Sequence, residues 1–140
     1  MSQPYESGRT MAKVVARYLN GRIVKGFTVD FTPFQDRFHI VEAEDGAMRE
    51  IRLSELKGVF FVKDLAGDLG HAKSNVFDPA DATPGRRIRV RFKDGETLAG
   101  FTPDYLPMRS GFFLLPADLK SNTDRCYVVA SATEKVSPIT

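Results

Sequence analysis

This chain has no tryptophan, a single cysteine and two histidines. A lone thiol, Cys126, has no partner for an internal disulfide and supplies no metal-ligand cluster. It opens an apolar stretch and reads as a small buried residue. His39 and His71 stand far apart, and no HxH, CxxC or HExxH spacing occurs, so no metal site is expected. The GxSxG, P-loop and GxGxxG signatures are absent as well. No cofactor and no catalytic residue is expected, and the chain reads as a non-enzyme. No run approaches the roughly 18 apolar residues that cross a bilayer. Met1 to Thr10 is polar and carries no signal core. The expectation is a cytoplasmic protein with no membrane partner. Charge of one sign is scarce: 20 basic against 18 acidic side chains give a net charge of +2, too little to demand a nucleic-acid partner.

What the chain does have is ordinary globular composition over 140 residues, 42% hydrophobic and 27% charged, with eleven phenylalanines to fill a core. It also says nearly the same thing twice. Arg17-Tyr-Leu-Asn-Gly21, Gly26-Phe-Thr and Asp30 through Pro33 return as Arg91-Phe-Lys-Asp-Gly95, Gly100-Phe-Thr and Asp104 through Pro107. The offset is 74 residues, and Phe38/Phe112 and Ala43/Ala117 keep it. A unit of that length is too long for a solenoid repeat and matches a small β-barrel.

Each copy reads as five short strands. Asn20-Gly21 and Asp94-Gly95 are hairpin signals, expected as two-residue type I′ turns with positive φ at both positions. Gly26 and Gly100 fall inside strand patterns and mark a bulge or a sharp bend. The expected fold is all-β: two tandem five-stranded SH3/Sm-like small barrels joined by a loop. The expected division is a flexible tail over 1–11, a first barrel over 12–64, a linker over 65–86 and a second barrel over 87–140.

Two resemblances bear on this. Asn20-Gly21 followed by Gly26, Phe31 and an apolar strand from Phe38 resembles the first segment of the Sm-like pattern. Lys57-Gly58 before Val59-Phe-Phe-Val62 resembles its second. The resemblance implies a bent five-stranded barrel, of a kind often assembled into RNA-binding rings. Thr32 stands where that family has an Asp, and Asp36 lies near its base-contacting Asn, so the RNA-binding residues do not carry over. The phrases Lys57-Gly-Val-Phe-Phe-Val-Lys-Asp64 and Gly111-Phe-Phe-Leu-Leu-Pro-Ala-Asp118-Leu-Lys-Ser121-Asn122, with Arg125 beyond, resemble an uncharacterised bacterial family of tandem small β-barrels, which implies no known activity.

Arg87, Arg89, Arg91 and Lys93 alternate with Ile88, Val90 and Phe92, which puts the four cations on one outward strand face. Such a row suits phosphates, and equally suits a solvated or guarded edge. Tyr5, Phe34, Tyr105 and Phe113 are the candidate base-stacking aromatics. The runs Phe60-Phe61-Val62 and Phe112-Phe-Leu-Leu115 do not alternate, so both faces should be covered, by the other barrel or by a second copy of the chain. Phe61 and Phe113 are therefore the candidate protein-interface residues. Asp30 and Asp104 occupy equivalent positions, and a turn or bulge hydrogen bond is their simpler role. Arg87 and Arg91 satisfy the RxxxR spacing of PilZ-type cyclic-dinucleotide receptors, whose second motif is missing. The leading expectation is a non-catalytic binding or scaffold module engaging a protein partner or itself. The alternative is RNA or other nucleic-acid binding through strand 87–93, and a minor alternative is a cyclic-dinucleotide receptor.

Overall fold

Short β-branched and aromatic runs, separated by Gly, Asn and Asp turns, form ten strands. In chain order they are β1 (Ala12–Arg17), β2 (Ile23–Thr28), β3 (Arg37–Glu42), β4 (Met48–Arg52), β5 (Gly58–Val62), β6 (Arg86–Phe92), β7 (Thr97–Thr102), β8 (Gly111–Pro116), β9 (Thr123–Val129) and β10 (Thr133–Pro138). Leu53–Glu55 and Ala130–Ala132 are single 3-10 turns between β4 and β5 and between β9 and β10. The structure, a computed structural model, describes residues 11–67, 74–78, 85–103 and 110–139. Tyr5, His71, Asp104 and Tyr105 lie outside the described residues.

The chain is all-β, but the expectation of two closed barrels is corrected. All ten strands belong to one antiparallel open sheet in the order β10-β6-β7-β8-β9-β5-β1-β2-β3-β4. Each half runs through the same order, last strand beside first, then second, third and fourth. Neither half closes on itself. Instead β9 pairs with β5, and β4 and β10 are left as the two edges. The reason lies in β5, Gly58-Val-Phe-Phe-Val62, which is apolar on both faces. Such a strand must be interior, with both rows of backbone groups paired. It pairs with β1 on one side and with β9 on the other.

The turn type is corrected too. Gly21 and Gly95 have φ of +89° and +93°, but no described non-glycine residue has positive φ. These are therefore not type I′ turns. The amide of Gly21 donates to Tyr18 O at 3.2 Å and that of Tyr18 to Arg22 O at 2.9 Å, a type I turn closed by one left-handed glycine. The Asn20 side chain fixes it by accepting from the Arg22 amide at 2.9 Å. Asp94 does the same for Glu96 at 3.0 Å. A side-chain acceptor that holds its own residue in the right-handed region leaves one position, not two, for positive φ.

Gly26 and Gly100 are strand glycines for lack of space, not for unusual φ. A Cβ on Gly26 would lie 2.0 Å from Val41 O, and one on Gly100 would lie 2.2 Å from Leu115 O. The following strand crosses there, and the two equivalent bonds Ala43 N to Lys25 O (3.2 Å) and Ala117 N to Ala99 O (3.0 Å) tie it down. No register shift occurs in either pairing, so neither glycine marks a bulge.

The sheet curls. Phe31 meets Phe38 of β3 at a centroid distance of 5.1 Å and Phe61 of β5 at 5.5 Å, although those strands are three places apart. At about 4.8 Å between neighbouring strands, a flat sheet would hold them too far apart for one ring to touch both. Alternation then explains the unbroken runs. Val59 and Phe61 face the first half's core, with Val14, Ala16 and Phe38. Phe60 faces the other way, beside Leu98, Leu114 and Cys126 of the second half. The central strands serve a core on each face, so they have no face to leave wet.

Candidate functional site

The seam between the halves gathers most of the aromatic contacts among the described residues. Phe113 of β8 lies 6.4 Å from Phe61, 6.5 Å from Phe31 and 5.0 Å from Tyr127. Arg125 of β9 lays its guanidinium over Phe61 at 4.3 Å and Phe113 at 4.9 Å. Phe61 is buried and Phe113 half-buried. The two candidate interface residues thus meet each other inside one chain, and burying a Phe side chain is worth about 1.5–3 kcal/mol.

Beside this cluster the chain turns a corner at Thr32–Asp36. Ser110 Oγ donates to Pro33 O at 3.3 Å and shares a 2.8 Å bond with the Tyr127 hydroxyl, which pins the corner to the second half. Asp36 accepts from the Ser54 amide at 2.9 Å. Hydrogen bonds from the Ser54 backbone and side chain hold the Asp36 carboxyl below the usual carboxylate range. Phe34 projects from this corner, 80% exposed. On one side it borders a groove of about 670 Å³ walled by Pro33, Pro103, Phe112, Phe113 and Tyr127. On the other it borders a shallower groove of about 410 Å³ reaching Leu53 and Val129. No charged residue lines the larger groove among the described residues.

Asp30 holds the start of β3. It accepts from the His39 amide at 2.9 Å, from Thr28 Oγ1 at 3.2 Å and from His39 Nδ1 at 2.7 Å. Partial burial pushes its carboxyl up, but the His39 and Thr28 hydrogen bonds outweigh that and leave it below the usual range. This is a turn-bracing role.

The basic row on β6 alternates in burial as its pattern dictates, with Ile88, Val90 and Phe92 buried. Its members differ in circumstance. Arg87 is half-buried against Phe77 and Phe101, at 5.1 and 5.7 Å. Arg91 pairs with Glu134 at 3.2 Å. Arg89 and Lys93 are exposed with no ion pair among the described residues, and so is Arg86, the first residue of the strand. With Arg87 stacked and Arg91 neutralised, the RxxxR pair does not present two open cations.

Three arrangements escaped the sequence reading. Lys57, 5% exposed, bonds Asp94 at 2.7 Å and also Glu96, and its ammonium lies 4.9 Å from the Phe92 ring. That ties the start of β5 to the hairpin of the other half. Hydrogen bonds from Lys57 and from the Glu96 amide hold Asp94 below the usual carboxylate range. Asn122 accepts from the Asp64 amide at 3.0 Å and donates to Asp64 O at 2.9 Å, so the ends of the two family-like phrases are joined. Asn75 accepts from the Ala99 amide at 3.2 Å and donates to Thr97 O at 3.0 Å, covering the part of β7 that β8 leaves unpaired. Charge alternation had only advertised the row on β6.

Among the described residues no group of three His, Cys, Asp or Glu side chains could hold a metal ion. No described helix is long and apolar enough to cross a membrane. No curated protein and no solved structure matches the chain. One family model does, over residues 10–140, and the chain therefore belongs to a family of unknown function (DUF6982).

Proposed function

We propose that this protein is a non-catalytic binding module whose ligand is an apolar peptide segment of a partner protein, rich in proline or aromatic residues, seated in the groove beside Phe34. One observation carries the reading: an 80% exposed phenylalanine stands at the mouth of a groove of about 670 Å³ that no charged residue lines among the described ones. An exposed large aromatic beside a concave apolar wall is the informative kind of surface hydrophobe. The groove has the size of a ligand site, and the Ser110 and Tyr127 hydroxyls add polar groups beside its apolar walls. Phe113, half-buried, joins its wall. A lining without cations among the described residues favours an uncharged peptide over a phosphate backbone. The strand order repeated in each half supports the likeness to SH3-like and Sm-like modules, and the single buried thiol suits a reducing, cytoplasmic setting.

A random-peptide display library panned on the immobilised protein tests this. Selected peptides should be proline- or aromatic-rich, and Phe34→Ser should weaken them at least tenfold while leaving the melting temperature within a degree or two. Peptides that bind Phe34→Ser equally well would refute the reading.

A second reading rests on Arg86, Arg89 and Lys93, three cations on and just beyond β6 without carboxylate partners among the described residues. Single-stranded RNA should then bind with a log–log salt slope of about −0.7 per phosphate contacted, and Arg89→Glu should abolish it. Absence of binding at low salt ends this alternative.

A further inference from the structure

A second cavity, sharing no residue with the Phe34 groove, lies where β1 and β2 meet the Leu65–Gly67 segment and the Ser121–Thr123 loop, with a volume of about 320 Å³. Its wall holds two cations, Arg17 and Lys25, and no acidic residue among the described ones. In this they differ from five other described cations. Arg37, Arg49, Lys57, Lys63 and Arg91 each have a carboxylate within 4 Å. Among the described residues Arg17 and Lys25 are positioned without being neutralised. The Arg17 guanidinium stacks 4.9 Å from the Phe60 ring, and the Lys25 ammonium donates to Leu65 O at 3.1 Å. Each keeps spare donors, since a guanidinium has five N–H groups and an ammonium three. The rest of the lining is mixed: Ile23, Val62 and Phe60 form an apolar part, Ser121, Asn122 and Thr123 a polar one, and Ile23 is 46% exposed.

We infer that this cavity binds a small organic phosphate, its anionic head between Arg17 and Lys25 and a flat apolar body against Ile23 and Val62. Two charge-assisted donors in a pocket with no acidic side chain among the described residues suit a phosphate, and the volume suits a ligand of one ring or so. The equivalent place in the second half cannot serve. Ala99 stands where the first half has Lys25, and Arg91, the counterpart of Arg17, is bound to Glu134.

Phenyl phosphate titrated into the full-length ¹⁵N-labelled protein tests the inference, with phenol and inorganic phosphate as controls. The expected result is saturable shifts at the Gly67, Asn122 and Thr123 amides. Affinity should fall at least tenfold in Lys25→Gln and again in Arg17→Gln, and phenol should produce no saturable shift. Lys25 is exposed, so Lys25→Gln keeps the test decisive even if loss of the Arg17–Phe60 stack loosens the fold. Phenol binding as tightly as phenyl phosphate, undiminished affinity in Lys25→Gln, shifts confined to β6, or no shift at all would each overturn the inference. Equal affinity for inorganic phosphate would overturn the assigned apolar body.

Discussion

Lys57 offers the sharpest energetic test, because its charge is enclosed while its partners are not. Its side chain is 6% exposed, against 27% for Asp94 and 34% for Glu96. At an effective dielectric near 20, opposite charges about 4 Å apart attract by about 4 kcal/mol. Desolvating the ammonium returns much of that, and the half-wet carboxylates are screened. Breaking a fully buried pair typically costs about 3–5 kcal/mol, so about 2–3 kcal/mol is expected for Lys57→Met, which keeps the stem over Phe92. For a domain of this size that lowers the melting temperature by roughly 8–10 °C. Asp94→Asn combined with Glu96→Gln strands the buried ammonium and should cost at least as much. The triple variant has no buried charge left and should recover part of the loss. Urea unfolding of the four proteins gives the coupling energy, expected above about 1.5 kcal/mol. A coupling below about 0.5 kcal/mol would mean that Lys57 is an ordinary surface lysine, and the argument for a charged knot between the halves would fail.

The same knot sets a pH dependence. Asp94 has a folded-state pKa below its unfolded value. Its contribution is therefore complete above the unfolded value, about 4, and is lost as pH falls below it toward the folded one. Acid titration of the unfolding free energy should be steeper in the wild type than in Lys57→Met.

Three further outcomes are expected. Gly26→Ala puts a methyl 2.0 Å from Val41 O and should cost about 3 kcal/mol or abolish folding, whereas Gly21→Ala, with φ of +89° and open space around it, should cost only about 1 kcal/mol by thermal melting. Asn122→Ala leaves the Asp64 amide and carbonyl without their partner; a loss of about 1–2 kcal/mol is expected, with faster hydrogen exchange at Asp64 and Lys63. Cys126, 1% exposed, should resist a thiol reagent in the native protein and react at once in urea, and native labelling within minutes would contradict the packing against Phe60.

Much of the fold was legible because it depends on local chemistry. The period-two burial of β6 and the strand at Arg37–Glu42 follow from alternation, and the hairpins follow from Asn-Gly and Asp-Gly. The repeat foretold the common strand order. It could not foretell closure, since whether a last strand pairs with its own half or with the other depends on contacts between residues some seventy positions apart, such as Phe60 with Cys126. The doubled apolar runs did signal a strand covered on both faces, and left open whether the cover lay within the chain. Lys57 was invisible as a buried charge because its partners sit in a hairpin 37 and 39 residues away. Phe34 was visible only as an aromatic at a corner; its groove needs the second half to build a wall.

Equivalent strands in the two halves show why the sheet ends where it does. Position by position, Phe60 and Phe61 of β5 correspond to Ser137 and Pro138 of β10, through their pairings with Val15, Val14, Arg89 and Ile88. Cys126 and Tyr127 of β9 correspond to Arg49 and Glu50 of β4, through their pairings with Leu114, Phe113, Ile40 and His39. The two strands that meet at the seam are apolar, and their counterparts at the edges are charged or interrupted. Ser137 faces β6, and Ile139 donates to Arg87 O, so Pro138 lacks its N–H on the side that a further strand would use. A register shift between Thr133 and Lys135 bends the same edge. On β4, Arg49, Glu50 and Arg52 are exposed. Charges, a proline and a bulge are the devices that stop a sheet from recruiting another strand. One duplicated pattern thus carries two chemistries, adhesive where the halves join and repellent at the two edges of the sheet. Ser137→Phe combined with Pro138→Phe should therefore move the elution on size exclusion toward a larger species, and an unchanged elution volume would show that the guards on β4 suffice alone.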